Sequence, residues 1–153
     1  MLAVHIELLG DKELERALAR LDPKVQTKLT RKGLRAGGKI LLSETKRHAS
    51  YISDKLVTGL KLRALKRRSR RGAATKVLGV VVLTPTKQHL GIKENAPGFW
   101  PVHVEMGFKH VGGKHIPARS YLRKAADNNR ERVFSVVGAS IREALNDVWS
   151  KGR

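Results

Sequence analysis

Residues 100–125 read WPVHVEMGFKHVGGKHIPARSYLRKA. One acidic residue, Glu105, sits within an apolar alternation of Val102, Val104 and Met106. A Gly-rich basic loop follows, and Pro117-Ala118-Arg119 then leads into a run with helical spacing. Period-two alternation from Trp100 to Met106 favours a strand, with His103 and Glu105 on one side. A short helix is the alternative, because Val102 and Met106 also stand four apart. Beyond Pro117, residues Leu122, Ala126, Val133, Val137, Ile141, Leu145 and Val148 mark a long amphipathic helix. Asp127-Asn128-Asn129 is a place where that helix breaks or is re-capped.

Toward the N-terminus, Val4, Ile6 and Leu8 alternate with His5 and Glu7 and predict a first strand over Ala3 to Leu9. Asp11 then caps a short amphipathic helix carrying Leu14, Ala17, Leu18 and Leu21. Asp22-Pro23 opens a second helix that runs to about His48. Its face is traced by Val25, Leu29, Gly33, Ala36, Gly37, Ile40, Leu41 and Glu44, and its small residues imply close packing against another element. Tyr51 to Thr58 reads as a connection, and Leu60 to Leu65 as a strand. Lys76 to Leu83, rich in β-branched residues, reads as a central strand. The sum is α+β: an antiparallel sheet packed against an N-terminal helical pair and a long C-terminal helix. At 153 residues this is one domain, 1–153, with a basic loop near 66–72 and a long loop near 84–101.

Charge is the second signal. Lys and Arg number 32 against 13 Asp and Glu, a formal net charge of +19, so a polyanionic partner would relieve strong self-repulsion. From Lys55 to Lys93 there is no acidic residue. Within that run Lys66, Arg67, Arg68, Arg70 and Arg71 crowd together, either gripping phosphates or docking on an acidic neighbour. The segments Asp11 to Asp22 and Asp127 to Asp147 mix both signs and read as ordinary solvated helices. There is no cysteine, which excludes disulfides and thiolate metal sites. No apolar run approaches the roughly 20 residues of a membrane span. The opening MLAVHIELLGDKELE lacks the basic start of a signal peptide.

Catalytic patterns are missing. His103, Glu105, His110 and His115 match no metal template, and Gly112-Gly113-Lys114 lacks the spacing of a phosphate-binding loop. There is no nucleophile elbow, and no carboxylate cluster accompanies the basic segment. The reading is therefore not an enzyme, with no metal and no cofactor. Glu105 instead calls for a cationic partner, with Arg119 and Arg123 as candidates, and the three form a structural joint. Phe99 and Trp100 suit a protein interface, although Trp100 also fits as a cap on the core.

Trp100, Val104, Glu105, Met106, Gly107, Pro117, Ala118, Arg119, Tyr121, Leu122, Arg123 and Ala125, taken in order, resemble the central signature of a phage protein family. It is the tail-component, or tail-completion, family of long-tailed double-stranded-DNA phages. Thr58-Gly59 resembles that family's Thr-Gly before a basic strand. The chain departs from the pattern at Trp100 and Phe108, where the family has Tyr and Thr, and at Ser120 and Lys124, where it has Pro. The resemblance implies a virion structural protein of the tail or neck, made in the bacterial host cytoplasm and free of catalysis. It implies copies arranged in a hexameric ring around the DNA channel, meeting tail-tube, terminator or head–tail connector proteins, with DNA in the lumen and no membrane partner. Phe99, Trp100, Phe108, His110 and His115 are then candidates for the subunit interface. The alternative reading is a basic DNA- or RNA-binding accessory protein.

Overall fold

The computed structural model describes residues 12–65, 79–93 and 100–151. Helix α1 (Lys12–Ala19) is followed by α2 (Pro23–Ser50), α3 (Asp54–Gly59), strands β1 (Lys61–Ala64) and β2 (Val80–Leu83), and α4 (Trp100–Met106). The short strands β3 (Phe108–Lys109) and β4 (His115–Ile116) precede the long helix α5 (Tyr121–Lys151). β1 pairs with β2 in one two-stranded sheet, and β3 pairs with β4 in another. The class is α+β, dominated by helix. The expected first strand over Ala3 to Leu9, the Lys66–Arg71 cluster and Phe99 lie outside the described residues.

Local chemistry explains where the long helices start and why they persist. The Asp22 carboxylate accepts the Lys24 N–H at 2.8 Å, and the Asp22 carbonyl accepts the Gln26 N–H at 2.9 Å. Pro23 follows the cap at the first helical position, where its missing N–H costs nothing. In α5 the Asp127-Asn128-Asn129 triplet does not interrupt the helix. Asn129 is 8% exposed, and its side-chain amide donates to the Ala125 carbonyl one turn back at 3.1 Å, so its polarity is satisfied within the helix.

Two stretches differ from the local reading. Within the expected connection at Tyr51 to Thr58, Asp54–Gly59 is helical and buries Leu56 and Gly59, three apart on one face. Trp100–Met106 is a helix and not the favoured strand. Its buried positions are Pro101 and Glu105, four apart, whereas His103 and Met106 are exposed. The alternation of valines there marks half-buried flanks. β2 is one of only two strands in its sheet, so it is not a central strand among the described residues.

The chain forms two compact units. The first holds Leu41–Leu62 and the described part of Val82–Asn129. Its core is built from Leu41, Ala49, Leu56, Leu60, Val82, Leu90, Tyr121 and Leu122. The second holds the described parts of His5–Ile40, Arg63–Val81 and Arg130–Arg153. There Leu14, Leu18, Leu29, Leu34, Val80, Val133, Val137, Ile141 and Leu145 are buried. Within this second unit α2 and α5 approach closely at Gly33 and Gly37. A Cβ on Gly33 would overlap the Ile141 side chain and stand 3.0 Å from the Val137 carbonyl. One on Gly37 would overlap Val137 and stand 3.1 Å from Val133.

Candidate functional site

The first unit contains a joint between α4 and the start of α5. Ser120 is the N-cap residue of α5, since its carbonyl accepts the Lys124 N–H at 2.9 Å. An N-cap serine ordinarily turns its hydroxyl onto the first free N–H groups of the helix. Here the Ser120 hydroxyl donates to the Glu105 carbonyl at 3.1 Å. The capping role passes to the Glu105 carboxylate. Oε2 accepts the Leu122 N–H at 2.8 Å, and Oε1 accepts the Arg123 N–H at 3.1 Å. Glu105 is only 2% exposed, so these two charge-assisted bonds, with the positive end of the helix dipole, offset the burial of its charge.

The expected cationic side chains do not hold Glu105. Arg123 reaches it through its backbone N–H, while its guanidinium donates to the Met106 sulfur at 3.4 Å. Arg119 donates its backbone N–H to the Val104 carbonyl at 2.7 Å. Backbone donors suffice because a helix N-terminus supplies two of them already oriented toward one carboxylate. Gly107 makes the close approach possible. Its φ of +74° is a left-handed value, and a Cβ there would lie 2.9 Å from both the Ala118 nitrogen and the Ile116 carbonyl oxygen.

Tyr121 completes the joint. It is fully buried, and its hydroxyl faces the Pro101 carbonyl at 3.4 Å. Burial, and secondarily the charge of Glu105, holds its pKa well above the ordinary value of about 10. The unfolded chain therefore loses this proton at lower pH than the folded one. The associated stability is intact below pH about 10 and falls above it by up to ~1.4 kcal/mol per pH unit. Urea unfolding on either side of pH about 10 should show this extra loss in the wild type and not in Tyr121→Phe. Parallel losses in the two proteins would refute the assignment.

The remaining candidates scatter around this joint. Trp100 begins α4 and is half-buried. Phe108 is half-buried and its ring lies 5.2 Å from that of His103. His110 and His115 are exposed on the β3–β4 hairpin, which pairs Phe108 with Ile116 and Lys109 with His115. The hairpin closes through the His110 N–H to Lys114 carbonyl bond at 2.8 Å, and Val111 at its tip is fully exposed. Among the described residues no three His, Asp or Glu side chains gather as a metal site requires. No described helix is long and apolar enough to cross a membrane.

No protein-family model, curated protein or solved structure matches this chain. Its functional reading therefore rests on its own residues. Beside the joint lies a cleft of about 290 Å³ lined by His48, Tyr51, Ile52, Ala118, Arg119 and Lys124. The His48 Nε2 is buried there with no hydrogen-bond partner among the described residues.

One charged feature escapes a reading centred on the Lys66–Arg71 cluster. Pro23 to Ser43 contains no acidic residue, yet it carries Lys24, Lys28, Arg31, Lys32, Arg35 and Lys39. The signal was available as spacing, since these cations recur every three, four or seven residues on a helix. A search for contiguous basic runs passes over it.

Proposed function

We propose that this chain is a structural virion protein of a phage tail or neck, completing the tail and joining it to the head as one subunit of a ring around the DNA channel. The supporting observation is the convergence of the signature residues. Glu105 and Gly107 at the end of α4 meet Ala118, Tyr121, Leu122 and Arg123 at the start of α5 in one joint. The Glu105 carboxylate in this joint caps the N-terminus of α5. A rigid joint of this kind suits a part that must hold its shape under load while neighbouring surfaces make contacts. Such surfaces are present in the same unit, where Tyr51, Met106 and Val111 are large apolar residues exposed by 80%, 56% and 102%.

In this role the subunit makes head-to-tail contacts that close into a ring, so different patches face each other across each interface. The purified chain should sediment as a closed oligomer at high protein concentration. Images of the assembled particle should show that oligomer at the neck. A chain that stays monomeric at every concentration and is absent from the particle would rule the proposal out.

A further inference from the structure

The acid-free stretch of α2 forms a linear cationic face. On a helix of 3.6 residues per turn, Lys24, Lys28, Arg31, Lys32, Arg35 and Lys39 fall within about 100° of arc and extend over roughly 22 Å. All six are exposed. Among the described residues none of them pairs with a carboxylate; the ion pair present in this helix joins Arg47 to Glu44, outside the stripe. The six line one side of a groove of about 930 Å³ in the second unit, whose opposite side comes from α5. Asp147 is the one acidic residue among its described lining residues.

We infer that this groove is a binding surface for the sugar–phosphate backbone of duplex DNA. Three observations select that partner. First, six uncompensated cations in a row match a ligand with closely spaced negative charge, and duplex DNA carries one charge per ~1.7 Å of its axis. Second, the apolar part of the described lining is Val25, Leu29, Ala36, Ala144 and Val148, none of which is an exposed side chain. An acidic protein helix would need deep apolar anchor sites, and the large exposed apolar residues Tyr51, Met106, Val111 and Trp149 do not line the groove. Third, among the described residues the lining holds no aromatic side chain on which unpaired bases could stack, which disfavours single strands. Backbone contact without base readout makes the binding sequence-independent and steeply salt-dependent. The inference stands on α2 and α5 alone and does not require the ring.

Its test is the anisotropy of a labelled random-sequence duplex titrated with the full chain across roughly 50–200 mM salt. Replacing Lys28, Arg31, Arg35 and Lys39 together by Gln should weaken binding on the order of 100-fold at about 100 mM salt and reduce the salt slope by about 3 to 4. The charge-matched control, Gln at Lys55, Lys61, Lys109 and Lys114, should lose less than about 10-fold. A second measurement uses the wild-type chain and so is independent of mutant folding. Bound duplex should protect Lys24, Lys28, Lys32 and Lys39 from amine-directed acylation while Lys55 and Lys109 stay reactive. Equal losses in the two quadruple variants, unchanged acylation of the α2 lysines, or tighter binding of polyglutamate than of the duplex at the same salt would each overturn the inference.

Discussion

Glu105→Ala should lower the melting temperature by about 6–12 °C, which corresponds to about 3 kcal/mol for a chain of this size. The substitution removes the acceptor for both the Leu122 and Arg123 N–H groups at a position that is 2% exposed. A buried donor left without a partner costs about 1–3 kcal/mol, and loss of a helix cap costs about 1 kcal/mol. Glu105→Gln keeps one carbonyl acceptor but loses the charge, so about half the effect should remain. Arg119→Ala and Arg123→Ala should each change stability by less than about 0.5 kcal/mol, because both side chains are exposed and their backbone bonds survive truncation. Thermal unfolding of the four variants checks the set. If Arg123→Ala is as damaging as Glu105→Ala, a side-chain ion pair holds the joint and backbone capping does not. Amide hydrogen exchange offers a local readout, since protection at Leu122 and Arg123 should fall in Glu105→Ala before the rest of α5 opens.

Gly33→Val should be comparably severe. Its Cβ would occupy space already filled by Ile141 and crowd the Val137 carbonyl at 3.0 Å, and a backbone atom in the middle of a helix cannot move aside cheaply. Overpacking of this kind costs about 3 kcal/mol. Gly33→Ala is milder, because the helix-propensity gain of about 1 kcal/mol offsets part of the clash. Pairing it with Ile141→Val should recover little of the loss, since that change removes Cδ1 at 2.9 Å but leaves the nearer Cγ1 in place. Gly138 supplies the contrast within α5. Among the described residues a Cβ there would meet only the flexible end of Arg142 at 3.4 Å, so Gly138→Ala should be neutral or stabilising by up to about 1 kcal/mol. Urea midpoints of the four proteins decide the matter. Similar responses at Gly33 and Gly138 would mean that α2 and α5 do not approach as described.

The two effects differ in how visible they are before folding. Gly33 and Gly37 stand four apart on one helical face, and that spacing alone implies a close neighbour. It does not identify Val133, Val137 and Ile141 as the neighbour, because nothing in α2 names its partner. Glu105 is a harder case. An acidic residue in an apolar run announces that it needs a donor, and the nearby arginines are the obvious choice. The donors it uses belong to the backbone, and backbone amides carry no sequence signature. The same limitation accounts for α4. Alternation of Val102 and Val104 with polar residues satisfies the strand pattern, but burial of Pro101 and Glu105 by the surrounding unit selects the helix.

What the sequence determined by itself is local. It set the start of α2 at Asp22-Pro23, the long amphipathic course of α5, the apolar run of β2 and the overwhelming positive charge. Each follows from interactions spanning about one helical turn or one strand, so a few adjacent residues suffice to encode it. The tertiary structure decided what those elements meet: the Glu105 carboxylate on the N-terminus of α5, the two glycines against the valines and isoleucine, and the basic face of α2 beside the small residues of α5. These pairings join positions from 17 to more than 100 residues apart, where the energetics depend on burial and on which backbone groups remain free, and neither quantity exists until the chain has folded.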